Sequence, residues 1–334
     1  MISHLEIDKL FQSFEQLKIG VIGDVMLDTY WWGKVDRISP EAPVPVVAVT
    51  KKEQRIGGAG NVALNLAALS TTVHAISITG DDEEGKQLTR LLQQHKINTD
   101  YIGTSIERIT TNKIRIISRN QHMMRLDAEV IMELSEAEES KILAAFEKYV
   151  TIEKPNLVIL EDYNKGVLTE KVIKTVINIC KQNKILTAVD PKKKNFLSYE
   201  AVDIFKPNLQ EIKDALNINV DIITADSLHE MHLTLHKKIN HNISFITLSE
   251  KGVYYESVMD KGLIPTHVRS IADVSGAGDT VIAVAAVVYA ANKNERLMAE
   301  IANIAGGLVC EEVGTVAIDK NKLMTECKII FDNQ

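Results

Sequence analysis

A chain of 334 residues, 45% hydrophobic and 25% charged, has ordinary globular composition and material for one large α/β domain or two smaller ones. Its formal net charge of −7 argues against a general nucleic-acid binder and leaves room only for local basic patches. Cys180, Cys310 and Cys327 lie far apart and form no CxxC, so the thiols read as reduced cytosolic ones and no structural zinc is expected.

Met1 to Lys18 carries Glu6, Asp8 and Glu15 and lacks the basic-then-apolar layout of a signal peptide. Ile7, Leu10, Phe14 and Leu17 are spaced for one face of a short leading helix. Lys18 to Val25 reads as a buried strand that ends in a turn at Gly23-Asp24. Asp24 and Asp28 follow at its C-terminal end, the edge where open α/β sheets bind ligands, and can accept hydrogen bonds from sugar hydroxyls. An Asx turn at Asp24 and a surface acid at Asp28 are the plainer alternatives. Tyr30 to Thr50 holds both tryptophans, Pro40, Pro43 and Pro45, and the β-rich run Val44 to Val49. Proline confines such strands to edges or small separate sheets, so this stretch is expected to be a flap over a site, a dimer contact, or aromatics packed on the domain's own surface.

Gly57-Gly58-Ala59-Gly60-Asn61-Val62-Ala63 precedes a helical run to Leu69 and formally fits GxGxxA. The dinucleotide fingerprint must follow a strand directly, and Lys51 to Arg55 reads as a charged connector. The alternatives are a glycine pair that lets a polyol approach the backbone with Asn61 bonding to it, and a tight helix start. Val73 to Thr79 is a strand, Glu84 to Lys96 an amphipathic helix and Asn98 to Ile102 a strand. Ile109 to Leu126 alternates in part like a half-exposed antiparallel pair, with Lys113, Arg115, Arg119 and Arg125 on it. From Glu136 to Leu248 helices and strands alternate, which implies a parallel sheet covered on both faces. With no repeat or linker, one domain over 1–334 is expected, with flap strands inserted near 30–50 and 109–126.

Polar clusters follow three of these strands: Glu161 to Gly166, Asp190 to Lys194 and Pro207 to Glu211. Asn208 and Glu211 share a face at a helix start. They can hold a hydrated Mg²⁺ or form a capping box. The strongest stretch is Asp273-Val274-Ser275-Gly276-Ala277-Gly278-Asp279-Thr280, followed by the apolar run Val281 to Ala291, which is too short to span a membrane. Small residues at 275–278 let unpartnered N–H groups crowd at a helix start and form an anion hole. An acid at 279 beside that hole makes sense as a base acting on a hydroxyl that attacks a phosphate, or as a plain first-turn acid.

Taken in order, these pieces resemble the ribokinase (PfkB) family of sugar kinases. The resemblance rests on Gly57 to Ala63 with its continuation to Ser70 and Gly80, on Asp273 to Asp279 as DxxGAGD, and on Asn208 to Glu211 as NxxE. Val284 departs from it, standing where many relatives have a small residue. Further segments are similar to one branch of that family, the bacterial kinases of heptose 7-phosphate: Gly23 to Asp28, Arg37 to Val47 (RISPEAPVPVV), Arg115 to Asp127, Asp162 to Gly166 and Asp190 to Lys192. Lys193-Lys194 departs from a Gly-Thr pair. The similarity runs from about Leu17 to Ile318. Many members of the branch continue into a nucleotidyltransferase domain; with an end at Gln334, the kinase activity alone is expected.

The resemblance implies a ribokinase-like, mostly parallel sheet with helices on both faces and a small β lid, and an ATP-dependent kinase acting on O1 of the heptose. It implies Asp279 as base, Gly276, Ala277 and Gly278 as anion hole, and Asp28, Asn61, Gly57 and Gly58 at the sugar. Lys165 and Arg125 are the cations for its phosphate. Mg²⁺ is expected at Asn208 and Glu211 through water, the nucleotide beside Ser249, Lys251 and Gly252, and a monovalent cation such as K⁺ near Asp273. A soluble cytoplasmic homodimer is expected. A kinase of the same family for another phosphorylated sugar, a non-catalytic sugar or nucleotide sensor on the same fold and a Rossmann dehydrogenase are the competing readings.

Overall fold

The computed structural model describes residues 3–119, 121–218, 222–267 and 269–332. Helix α1 (His4–Ser13) is held by a capping box between Ser3 and Glu6 and buries Ile7, Leu10 and Phe11. Strand β1 (Lys18–Gly23) is buried almost throughout. Two long strands follow, β2 (Val25–Ile38) and β3 (Pro45–Gly58), paired antiparallel over most of their length. The stretch Lys51 to Arg55 is therefore strand and not connector. Its charged residues alternate over two largely solvated faces, so no apolar period announces it.

Helix α2 (Ala59–Ala68) starts at once after β3, with Gly58 at φ 58° as its cap. A Cβ at Gly58 would lie 2.3 Å from the Asp24 carbonyl oxygen, so only glycine fits there. Then come β4 (Thr72–Gly80), α3 (Glu83–Gln94), β5 (Asn98–Ser105) and the antiparallel pair β6 (Asn112–Ser118) and β7 (Gln121–Ala128). The central alternation gives α4 (Glu136–Glu153), β8 (Leu157–Glu161), α5 (Glu170–Gln182), β9 (Leu186–Asp190), β10 (Ile204–Phe205), α6 (Leu209–Leu216), α7 (Ala225–Ile239) and β11 (Ile243–Thr247). A hairpin, β12 (Val253–Glu256) and β13 (Lys261–Ile264), and the helices α8 (Ala277–Asn292), α9 (Glu295–Val309) and α10 (Lys320–Asp332) complete the described residues.

Nine strands form one sheet in the order β13-β12-β11-β10-β9-β8-β1-β4-β5, parallel except for the β12–β13 hairpin. Alternate residues of β1 feed two apolar layers. Ile19 and Val21 face α1, α2, α8 and α9, while Ile22 faces α4, α5 and α7. Helix α8 is apolar all round because α9, α2 and the sheet surround it. Val284 is fully buried in that layer and leaves the helix start undisturbed.

The other four strands form a separate mixed sheet in the order β3-β2-β6-β7. Trp31 and Trp32 lie on opposite faces of it. Lys52 sits 4.6 Å from the Trp31 ring centroid, and Trp32 stacks on Tyr30. Prolines 40 and 43 stand outside its ladders, and Pro45 opens β3. Among the described residues no helix is long and apolar enough to cross a membrane.

Candidate active site

The parallel strands deliver their C-terminal ends to one edge. Asp24 follows β1, Glu161 and Asp190 end β8 and β9, Lys206 to Asn208 follow β10, and Ser249 lies just past β11. That edge is the ligand-binding side of an open α/β sheet. The second sheet joins it through Asp24, which lies between β1 and β2, and through Gly58 at the start of α2.

Asp279 lies in the first turn of α8 and is 5% exposed. Gly276 caps the helix at φ 80°, a left-handed conformation that glycine adopts without strain. The Ala277 N–H donates to the Val274 carbonyl at 3.2 Å. Among the described residues none accepts from the N–H of Gly276, Gly278 or Asp279, so these are open to an anion, whereas that of Ala277 is taken. One Asp279 oxygen accepts from Asn61 Nδ2 at 2.7 Å and the other from the Tyr163 hydroxyl at 2.6 Å. Burial pushes its carboxyl up to about 6, against the pull of those two donors and with a further push from Asp190. A carboxylate so placed can take up a proton just below neutrality.

Tyr163 was not singled out from the sequence. Its place depends on Asp24, which is buried and takes three backbone donors: the N–H of Tyr163 at 2.9 Å and of Lys165 and Val167 at 3.0 Å. Asp24 thus folds the loop after β8 into a nest around its carboxylate, and that loop aims Tyr163 at Asp279. The oxygens of Asp24 are thus committed to N–H groups of the loop after β8, and not to the N–H two residues on that an Asx turn would use. Asp162 tightens the same loop, accepting from the Asn164 N–H at 2.7 Å and the Tyr199 hydroxyl at 2.8 Å.

Asp28 is buried on β2 and forms an ion pair with Arg115 on β6. It lies against Gly57, where a Cβ would come within 2.6 Å of its carboxylate. Gly57, Gly58 and Asn61 therefore lie together with Asp28 on one side and Asp279 on the other. Lys165 pairs with Glu129 at 2.8 Å and is largely buried. Arg125 lies on exposed β7, 58% exposed and paired with Asp127 at 2.9 Å.

Asn208 and Glu211 form the capping box of α6: Glu211 N–H to Asn208 Oδ1 at 2.9 Å, Asn208 N–H to Glu211 Oε2 at 2.8 Å. The other Glu211 oxygen holds Lys192 at 2.8 Å. Each side-chain oxygen of the pair thus already carries a donor, so contact with a metal here would run through water. Ser249, Lys251 and Gly252 form the turn between β11 and β12, next to Pro207, whose carbonyl accepts from Thr247 at 3.1 Å. Asp273 accepts from Ser275 and, at 2.9 Å, from the Gly314 N–H, which fixes the turn ahead of α8.

The sequence reading gave no role to Lys206. It is 2% exposed, between β10 and α6, and grips Asp190 at 2.7 Å, while Lys192 reaches the other Asp190 oxygen at 3.2 Å. Burial pushes the Asp190 carboxyl up, but the two lysines outweigh it and hold it below its ordinary value. Glu161 shows the opposite balance. It is fully buried, and burial together with Asp190 and Asp279 pushes its carboxyl well above the usual range.

A family model of the pfkB family carbohydrate kinases matches residues 16–322. The chain belongs to that family. It is 42% identical over 297 residues to the bifunctional protein HldE of Aliarcobacter butzleri, covering 88% of this chain and 61% of that protein. To HldE of Sulfurimonas denitrificans it is 39% identical over 316 residues, covering 94% and 65%. The kinase chain therefore spans less than two thirds of the length of these relatives. Among solved structures it is similar to phosphofructokinase-2 of Escherichia coli in complex with potassium, with TM-score 0.78 and 16% identity over 95% of this chain and 99% of that one. It is also similar to Arabidopsis thaliana ribokinase complexed with ribose and ATP, with TM-score 0.71 and 16% identity over 92% and 98%. The fold is ribokinase-like: a large, mostly parallel sheet with helices on both faces and a small mixed lid sheet. The formal GxGxxA match is thereby disposed of, because the strand before it belongs to the antiparallel β2–β3 pair of the lid and not to a βαβ unit.

Proposed function

We propose that this kinase transfers the γ-phosphoryl group of ATP to O1 of D-glycero-D-manno-heptose 7-phosphate. The products are heptose 1,7-bisphosphate and ADP, a step toward nucleotide-activated heptose for the lipopolysaccharide core. The observation that carries the chemistry is the buried Asp279 at the start of α8, held by Asn61 and Tyr163 beside open N–H groups. The choice of sugar is supported by the segments Gly23 to Asp28, Arg37 to Val47 and Arg115 to Asp127, and by the similarity to HldE.

The proton on O1 passes to Asp279 as O1 bonds to the γ-phosphorus, and the bond to the β,γ-bridging oxygen breaks to release ADP. The open N–H groups of Gly276 and Gly278 stabilise the charge on the transferring group. Tyr163 and Asn61 hold the base in orientation. Asp28 and Asn61, with the bare backbone of Gly57 and Gly58, receive the sugar, and Lys165 heads the cations for its phosphate. Ser249 to Gly252 borders the nucleotide. Kinases of this family use ATP and Mg²⁺, the ion neutralising phosphate charge. A potassium ion near the Asp273 turn is part of the proposal, in line with the potassium complex of phosphofructokinase-2. So are a cytoplasmic setting and a homodimer, the latter supported by exposed Met124 and Leu126 on β7 of the lid; a monomer by light scattering would refute it.

The test is a coupled ADP-release assay with Mg²⁺-ATP on heptose 7-phosphate, fructose 6-phosphate, ribose and adenosine. Turnover confined to heptose 7-phosphate supports the proposal, and NMR of the product names the anomer. Preference for another sugar overturns the substrate while leaving the Asp279 chemistry in place.

A further inference from the structure

We propose that Arg55 is a positioning residue that couples the sugar-side face of the lid to the turn at the start of α8. Arg55 lies on β3 directly opposite Asp28 on β2, so the two side chains share one face of the lid. The Arg55 guanidinium lies 5.1 Å from the Tyr30 ring centroid. That of Arg115, the ion-pair partner of Asp28, lies 5.3 Å from the same ring. Glu53 accepts from Arg55 Nε at 2.6 Å and completes its anchorage on the lid.

From this anchorage Arg55 reaches out of the lid. Its Nη1 donates to the carbonyls of Val313 and Thr315, in the loop after α9, at 3.1 Å each. Among the described residues these are the only hydrogen bonds joining the four lid strands to residues 273–315. Gly314 stands between the two carbonyls in the left-handed region at φ 74°, and a Cβ there would lie 2.7 Å from Arg55 Nη1. Glycine thus lets the loop turn both acceptors to one nitrogen. The N–H of the same Gly314 donates to Asp273 at 2.9 Å, and the other Asp273 oxygen accepts from the N–H and hydroxyl of Ser275. Thr315 packs on Gly276, where a Cβ would meet its Cγ2 at 3.2 Å.

An unbroken chain therefore runs from Asp28 through Tyr30, Arg55, the 313–315 loop and Asp273 to Ser275 and Gly276. Its far end sets where the open N–H groups point, and a displacement of about 1 Å there can cost a hundredfold in rate. The guanidinium serves Glu53, Tyr30 and two carbonyls at once from a planar fork, a span that the point charge of a lysine lacks. A sugar seated on Asp28, Gly57 and Gly58 thereby acts on the groups that stabilise the transferring phosphoryl. The coupling rests on that proposed placement of sugar and phosphate, though not on which sugar it is.

The experiment compares wild type with Arg55→Met, which keeps an apolar stem beside Tyr30 but no donor, and with Arg55→Lys. Glu53 keeps Lys51 at 2.7 Å as its partner in both. In ADP release with whichever sugar is turned over, Arg55→Met should lose about tenfold to a hundredfold in kcat, while the KM for ATP moves by less than about threefold. Arg55→Lys should recover part of that loss. In the full chain without sugar or nucleotide, amide hydrogen exchange at Ser275 and Gly314 should quicken by about tenfold or more in Arg55→Met and stay unchanged along β8 and β9. An unchanged kcat, a loss confined to the KM for the sugar, or unchanged exchange at 275 and 314 would overturn the coupling. Preference for a sugar other than heptose 7-phosphate removes the substrate proposal and leaves these readouts to decide this one.

Discussion

Tyr163→Phe removes one hydroxyl and tests whether Asp279 works as a base tuned by its donors. The Tyr163 hydroxyl donates to Asp279 at 2.6 Å and favours the charged carboxylate. Burial alone would drive Asp279 higher than its value of about 6, and Tyr163 is first among the groups that oppose it. A hydrogen bond to a charged group contributes about 1.5–3 kcal/mol, part of which survives protonation. Taking ~1.4 kcal/mol as the difference, the acid limb of the rate profile moves up by about one pH unit. At pH 6.5 the ionised fraction of the base then falls from about three quarters to about one quarter, a roughly threefold loss of turnover, whereas at pH 8 the two proteins nearly converge. The assay is ADP release at saturating ATP from pH 5.5 to 8.5. An unmoved acid limb, or an equal loss at every pH, would refute the tuning role.

Asp279→Asn should lower turnover by about 10³-fold or more while leaving ATP affinity largely intact, since the loss is confined to the transition state; near-normal turnover would remove the base assignment. Gly58→Ala sets a Cβ 2.3 Å from the Asp24 carbonyl at φ 58°, and should cost about 2 kcal/mol or more in urea unfolding; an unchanged midpoint would contradict the close approach. His241 is buried, and burial holds its imidazole down at about 3. The unfolded chain therefore takes up a proton that the folded one refuses: stability is full above about pH 6.5 and falls below it, by at most ~1.4 kcal/mol per pH unit. Asp279 and Asp162, raised to about 6, act in the opposite sense between about pH 6 and 4 and together outweigh this single imidazole. Between pH 7 and pH 5 the urea-unfolding free energy of His241→Gln should shift toward higher stability relative to that of wild type, by up to ~2 kcal/mol; an equal shift in the two proteins would rule His241 out as a cause.

The central parallel sheet was legible because Leu157 to Leu160 and Leu186 to Val189 are short apolar runs between amphipathic helices, and burial on both faces of a sheet demands that pattern. The lid was legible only in part. Val44 to Val49 announced a strand, but β3 continues through Lys51-Lys52-Glu53-Gln54-Arg55, whose reason to be extended is the partner strand β2 and not its own periodicity. Beyond residue 291 no element was assigned, and α9 and α10 cover the same face of the large sheet as α8.

The site divides along the same line. Asp279 was legible because its signal is local: glycines at 276 and 278, then an apolar helix. Asp24 and Asp28 looked alike in sequence, two acids past one strand. Tertiary contact separates them, since Asp24 collects N–H groups from a loop about 140 positions away, and Asp28 meets Arg115 only because β2 and β6 pair in parallel. Tyr163 and Lys206 had no local signal, because each acts through a carboxylate on a different element. Glu161 is the limiting case. At the end of a buried strand, an acid reads as the start of a polar loop. Only when Asp190 and Asp279 are brought to the same few ångströms, and the lysines are found to be spent elsewhere, does its lack of a partner become a chemical statement.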